Sequence, residues 1–345
     1  MSRRLYFFAA TILLILVAFA GCRAIKSPIT LPETSNQTVI FTPLPENPTA
    51  TKPETKTEIT PQPAPTKPPV VETKNGYRIV KDIVYGMGGS IPQKLDIYIP
   101  DKKIASPTPA VVFIHGGGWS QGDKYPSQIS LLAQNGFFCV SINYRLSGVA
   151  PFPAAVEDCK CSIRWLRAHA AEYGVDPEHI GVWGGSAGGH LSLMVGLVDK
   201  SAGLEGNGGW ADYSSRVQAV CSYYGPTDMM RLFNTGDKNA PSAFIGGKPS
   251  EKPDTFYQAS PINYVSPDDP PVLMVHGDQD PVVPPEQSRL MFEAYQKAGL
   301  EAKLTIVQNA GHGFQSTNKQ PISPDIKEIN NQVLDFFMKH LVNKR

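Results

Sequence analysis

The chain is 345 residues long, with 32 Lys and Arg against 31 Asp and Glu and a formal net charge of +1. So even a balance carries no basic footprint, and nucleic-acid binding is set aside. A hydrophobic fraction of 41% supports a large buried core, and with the prolines crowded between Pro28 and Pro69 the rest of the chain fits one α/β domain.

The N-terminus reads MSRRLYFFAATILLILVAFAGC. Arg3 and Arg4 precede an apolar run from Leu5 to Ala20, shorter than the roughly 20 residues a membrane span needs. The run closes on small residues and Cys22, and it resembles a bacterial lipoprotein signal. That resemblance implies a signal peptide over 1–21, cleavage before Cys22, and a lipid on Cys22 as the new N-terminus. An ordinary signal peptide or an uncleaved anchor would also export the chain. From 22 to 75 the composition is mostly Pro, Thr, Lys and Glu, which cannot bury enough apolar surface to fold. This segment is expected to be a disordered tether, reaching on the order of 100 Å at polyproline spacing. It would join an extracytoplasmic membrane anchor to a catalytic domain over 76–345.

In that domain YRIVKDIVYG and KLDIYIP read as strands, after which strands and helices alternate. PAVVFIH is an apolar strand, SQISLLAQN a helix, and GFFCVSINYRL a strand. Pro153 to Tyr173 reads as one long helix with Val156, Cys159, Ile163, Leu166 and Ala170 at helical spacing. DPEHIGVWG returns as a strand and AGGHLSLMVGLV as a helix. VQAVCSYYG, PVLMVHG and KLTIVQNA are further strands, and EQSRLMFEAYQKAG and PDIKEINNQVLDFFMKHLV are amphipathic helices. The alternation predicts a mostly parallel, doubly wound sheet flanked by helices. Residues 200–216 and 226–270 interrupt it and are expected as loop insertions over the site. Their aromatics and neighbours, Trp210, Tyr213, Tyr223, Tyr224 and Phe256, would either shape a pocket or pack in the core. Export would permit disulfides among Cys139, Cys159, Cys161 and Cys221, but Cys159 and Cys161 lie two apart on a helix and cannot easily pair, and buried free thiols are the favoured reading. No Cys-x-x-Cys or His/Cys cluster points to a metal, and no cofactor is expected.

The pattern Gly-x-Ser-x-Gly occurs twice, at Ser120 and Ser186. A nucleophile elbow needs a strand before the serine and a helix directly after it. Ser186 has IGVWG before it and AGGHLSLMVGLV after it, whereas QGDKYP follows Ser120. Ser186 is therefore the candidate nucleophile. HGGGW, residues 115–119, ends a strand upstream. Its glycines can turn backbone N–H groups toward a developing oxyanion. Gly117 and Gly118, with the N–H of Ala187, are the candidate oxyanion donors.

A serine needs a histidine base, and the base a carboxylate. His312, flanked by glycines in NAGHGF after a strand, is the candidate base. His276 would structure its loop, His340 would be exposed among lysines, and His190 would pack near the site. Asp280 in HGDQDPVVP is the candidate acid. Asp278, which suits the turn, and Asp228, which would line the pocket, are the other candidates for the acid.

HGGGW, YRL, FPAAVEDCKCSIRWLRAHAAEYGVDPEHIGVWGGSAGGHL, YGPTD, VHGDQDPVVP and AGHGF together resemble the α/β-hydrolase esterases. The likeness is to the bacterial feruloyl/acetyl-xylan esterase-like branch near the hormone-sensitive lipase group, and it runs from about Tyr77 onward. It implies an α/β-hydrolase fold and a Ser186–His312–Asp280 triad with Gly117, Gly118 and Ala187 as oxyanion donors. The implied activity is carboxylic-ester hydrolysis on short-acyl or aryl esters, among them acetyl or feruloyl groups on extracellular polysaccharide. The alternatives are an exported serine peptidase of prolyl-oligopeptidase type, which shares the late motifs, and a non-catalytic binding lipoprotein.

Overall fold

The computed structural model describes residues 70–125, 128–236 and 238–343. The signal segment, Cys22 and the tether as far as residue 69 lie outside the described residues.

The strands β1 (Val71–Lys74), β2 (Tyr77–Gly88) and β3 (Ile91–Pro100) form an antiparallel meander. β1 falls within the segment expected as tether, so folded structure starts by Val71 rather than at residue 76. Asn75-Gly76, with Gly76 at φ 90°, is a hairpin pair that folds β1 back onto β2. The strand is held by backbone pairing and is mostly exposed, which is why composition alone reads it as tether.

The chain then alternates. β4 (Thr108–Ile114), α1 (Ser130–Gln134), β5 (Phe138–Ile142), α2 (Ala154–Ala168) and α3 (Ala170–Tyr173) lead to β6 (Val175–Gly185) and α4 (Ala187–Leu197). After β7 (Ala219–Tyr223), an insertion carries the short helices α5 (Met229–Thr235), α6 (Asn239–Ile245) and α7 (Pro253–Gln258). β8 (Val272–Gly277), α8 (Glu286–Lys297), β9 (Ala302–Val307) and α9 (Ile326–Phe337) complete the fold.

One sheet runs in the order β1-β2-β3-β5-β4-β6-β7-β8-β9. It is antiparallel from β1 to β5 and parallel from β5 to β9. This is the α/β-hydrolase arrangement. Every residue of β4 and β8 is buried because helices cover both faces, as a parallel sheet requires. Side-chain alternation divides β4 between two cores. Ala110, Val112 and Ile114 pack with α2 and α4, while Val111 and Phe113 pack with α1 and α9. The cysteines at 139, 159, 161 and 221 are buried free thiols. Among the described residues no helix is long and apolar enough to cross a membrane.

Three further expectations change. The long helix breaks at His169, which leaves helical geometry at ψ 9° between α2 and α3. Residues 200–216 lie over α2 and β2 and contribute nothing to the lining of the site. There Glu205 pairs with Lys160 and Arg164 at 2.7 and 2.6 Å, and the Trp210 indole donates to Tyr85 O. His340 is buried, 3.2 Å from Glu301 Oε1 and packed on Phe336. It continues the Ile329–Val333–Phe336 face of α9 into a final π turn, and that helical face outweighs its lysine neighbours in sequence.

Candidate active site

β6 delivers Gly185 to the carboxyl edge of the sheet and α4 starts at Ala187, so Ser186 must turn the chain alone. It does so at φ 57°, ψ −125°, a region costing a non-glycine residue about 1–3 kcal/mol. Its N–H donates to Tyr223 O at 2.9 Å, and its carbonyl accepts from His190 N at 3.0 Å. A Cβ on Gly188 would lie 2.0 Å from Ile114 O, so the elbow closes only because that residue is bare. Ser120 has no such turn. Its hydroxyl points to Gly117 O at 3.4 Å on the exposed rim.

The structure brings Ser186, His312 and Asp280 together across 126 and 32 residues of sequence. Ser186 Oγ lies 3.0 Å from His312 Nε2, and His312 Nδ1 lies 2.7 Å from Asp280 Oδ2. The carboxylate assigns the ring proton to Nδ1, leaving Nε2 to accept from the serine. Asp280 Oδ1 accepts the N–H groups of Val282 and Val283 at 2.9 and 3.0 Å. Burial alone would raise the Asp280 carboxyl. Hydrogen bonds from His276 and His312 outweigh burial and hold it well below the usual carboxylate range. Asp278 accepts from Ala310 N–H, at the turn position expected. Asp228 does not line the cavity; its carboxylate caps α5 by accepting from Arg231 N–H at 2.9 Å, the ordinary role of Asp before a helix.

The glycine loop folds beside the elbow. Gly117 sits at φ 108°, and a Cβ there would meet Gln121 O at 2.1 Å. Its carbonyl accepts from Ser120 and Gln121 N–H groups, each at 3.1 Å. Among the described residues no carbonyl accepts from Gly117 or Gly118 N–H. Ala187 is the first residue of α4, where an N–H has no partner within the helix and the helix dipole favours negative charge. Gly117 and Gly118 line the cavity in which Ser186 stands, and Ala187 follows Ser186 directly in the chain.

That cavity is about 610 Å³. Leu232, Ala240, Pro241 and Val282 give it apolar lining, and Gln121 and Gln128 add polar groups. Of the aromatics named from sequence only Tyr224 lines it, with its ring 4.6 Å from His312. Tyr223 packs on Trp183 and Phe314, and Phe256 on Phe233, in the core.

Sequence reading missed two connections. Trp119 Nε1–H donates to His190 Nδ1 at 3.1 Å, and His190 Nε2–H donates to Ala259 O at 2.8 Å, tying the glycine loop to α4 and the insertion. His276 Nε2 lies 3.3 Å from Asp280 Oδ2. The only signals were two histidines beside glycine motifs, and neither names a partner.

Comparison with known proteins matches residues 95–295 to the BD-FAE family. Esterase LipQ of Mycobacterium tuberculosis is 35% identical over 241 residues, covering 68% of this chain and 56% of LipQ. This chain thus spans little more than half the length of such curated relatives. A truncated carbohydrate esterase from gut microbiota is 33% identical with a TM-score of 0.68, covering 78% of this chain and 99% of that one. Esterase 2 of Thermogutta terrifontis, solved phosphorylated by paraoxon, is 30% identical with a TM-score of 0.61, covering 76% and 94%.

Proposed function

The chain belongs to the BD-FAE family, and from that premise we propose that it is a serine carboxylic-ester hydrolase working through Ser186, His312 and Asp280. The observation that carries this reading is the continuous hydrogen-bonded line from Ser186 Oγ through His312 to Asp280. His312 Nε2 takes the serine proton as Oγ attacks the ester carbonyl. The oxyanion is met by the N–H groups of Gly117, Gly118 and Ala187. His312 passes its proton to the departing alcohol oxygen as the carbon–oxygen bond breaks. Water, deprotonated by the same nitrogen, then attacks the acyl-enzyme and releases acid and Ser186. Asp280 holds the His312 tautomer and stabilises the imidazolium.

The substrate class is a short-acyl or aryl ester, with acetyl and feruloyl groups on extracellular polysaccharide as the natural candidates. A lining that combines apolar groups with Gln121 and Gln128 suits an acyl group on a hydrophilic alcohol, and the carbohydrate-esterase relative is consistent with it. The Arg3-Arg4 start, the apolar run and Cys22 support a lipidated, membrane-anchored extracytoplasmic location. Labelled palmitate that enters the wild type but not Cys22→Ser checks that assignment.

The test of activity is turnover of nitrophenyl acetate beside a dipeptide anilide, with organophosphonate labelling. Ser186→Ala should lower ester turnover roughly 10⁴–10⁶-fold and abolish labelling. Wild-type activity in Ser186→Ala with loss in Ser120→Ala would sink the assignment. Preference for the anilide would turn the reading to a peptidase.

A further inference from the structure

Asp280 is held by more than the base it serves. Its Oδ2 faces both His312 Nδ1 at 2.7 Å and His276 Nε2 at 3.3 Å. His276 lies near the end of β8 and is fully buried. Its Nε2 is also 2.9 Å from Val283 O, and its Nδ1 is 2.7 Å from Ser288 Oγ on α8. The two groups facing Nε2 are a carbonyl and a carboxylate, which only accept. Nε2 must therefore carry a hydrogen, bonded to Val283 O with Asp280 Oδ2 also within reach, and in that tautomer Nδ1 is left to accept a hydrogen bond from the Ser288 hydroxyl.

We propose that His276 is a positioning residue for Asp280, presenting a second imidazole N–H to the same oxygen that holds His312. The inference rests on the serine-hydrolase reading above. Oδ1 is bound by the Val282 and Val283 N–H groups, and Oδ2 by His312 Nδ1 at 2.7 Å with His276 Nε2 a further neighbour at 3.3 Å, so the carboxylate is held facing His312. A second donor also draws charge from Oδ2, so His312 binds its catalytic proton less tightly and hands it on to the leaving alcohol.

The other ionisable groups around this centre are few. Tyr224, from the loop after β7, stands 4.6 Å from His312 and 6.4 Å from His276 between ring centroids. Burial and the neighbouring Asp280 push its phenol up to about 12, so it stays neutral. Asp278 turns its carboxylate to Ala310 N–H. On α8, Ser288 is neutral and Glu286 faces Arg231 at 3.9 Å.

The test is the pH profile of nitrophenyl acetate hydrolysis by His276→Phe, which keeps an aromatic ring without the donor, and His276→Gln, which can still present an N–H. Wild-type enzyme that neither turns over the ester nor takes the organophosphonate label defeats the hydrolase reading itself. With active wild type, His276→Phe should lose about tenfold in kcat at pH 8 with KM within about twofold. The acidic limb of its kcat/KM should move up by roughly half a pH unit, because Asp280 then holds the His312 proton harder. His276→Gln should recover most of both. A folded His276→Phe with wild-type kcat and an unmoved limb overturns the proposal, as does a His276→Gln no better than His276→Phe. If His276→Phe does not fold, Ser288→Ala frees Nδ1 while keeping the ring. It should move the limb in the same direction by a smaller amount, and an unmoved limb overturns the proposal.

Discussion

His190 should make the fold acid-sensitive in a defined window. The ring is fully buried, with Nδ1 accepting from Trp119 Nε1–H and Nε2–H donating to Ala259 O. A second proton would have to sit on Nδ1, facing an indole N–H that can only donate. Burial, only partly offset by the Ala259 bond, lowers this imidazole to about 4. In the unfolded chain a histidine titrates near 6.5. The folded value is therefore the lower one, and between those limits the unfolded state binds more protons. The contribution is complete above pH 6.5 and is lost as pH falls toward 4. At about 1.4 kcal/mol per pH unit, the interval amounts to about 3 kcal/mol, a large share of a typical domain's stability. The measurement is urea unfolding of wild type and His190→Gln at pH 7.5 and pH 4. At pH 7.5 the variant should be the weaker protein, because its glutamine makes poorer bonds to Trp119 and Ala259. Wild type should nevertheless lose about 3 kcal/mol more than the variant on acidification. Other acid-sensitive groups, such as Asp280, are common to both proteins and cancel in that difference. Equal losses in the two proteins would refute the reasoning, because they would show that the buried ring charges without cost.

Other substitutions probe the elbow and the buried charge. Ser186→Gly should abolish turnover yet stabilise the fold by about 1 kcal/mol, since glycine accepts the strained turn; an unchanged or lower Tm would deny that strain is stored there. Gly188→Ala drives a methyl to 2.0 Å from Ile114 O and should cost about 3 kcal/mol or more, read as a lower urea midpoint. Lys160→Met removes an ammonium bound to Val198 O, Glu205 Oε1 and Ser215 Oγ at 2.6, 2.7 and 3.1 Å. It should cost about 3 kcal/mol, because Glu205 keeps its charge with one partner fewer. Wild-type stability in that variant would mean that water replaces the lysine freely.

Much of the site is legible in sequence because its parts obey local rules. The strand–turn–helix context separates Ser186 from Ser120, the loop that follows His115 owes its shape to bare residues at Gly117 and Gly118, and Asp280 and His312 stand after apolar strands. The departures share one cause. Trp210 and Tyr213 lie in an insertion, which is the sequence ground for placing them near the pocket, yet Glu205 fastens that insertion to Lys160 and Arg164 on α2. The neighbours of Asp228 suggest the cavity, but its side chain satisfies the first turn of α5. Adjacent lysines point His340 outward, whereas the apolar face it shares with Phe336 turns it in. β1 is the reverse case, since Asn75-Gly76 carries a local hairpin signal that composition obscures.

By itself the amino-acid sequence determined the alternating α/β order, the elbow at Ser186 and the glycine loop, since each follows from residues a few positions apart. Only the tertiary structure decided that His276 shares an oxygen with His312, that His190 joins Trp119 to Ala259, and that residues 226–270 rather than 200–216 help to wall the cavity. Those are contacts between elements far apart in the chain, and strand order and helix packing set them, not any pattern within a single segment.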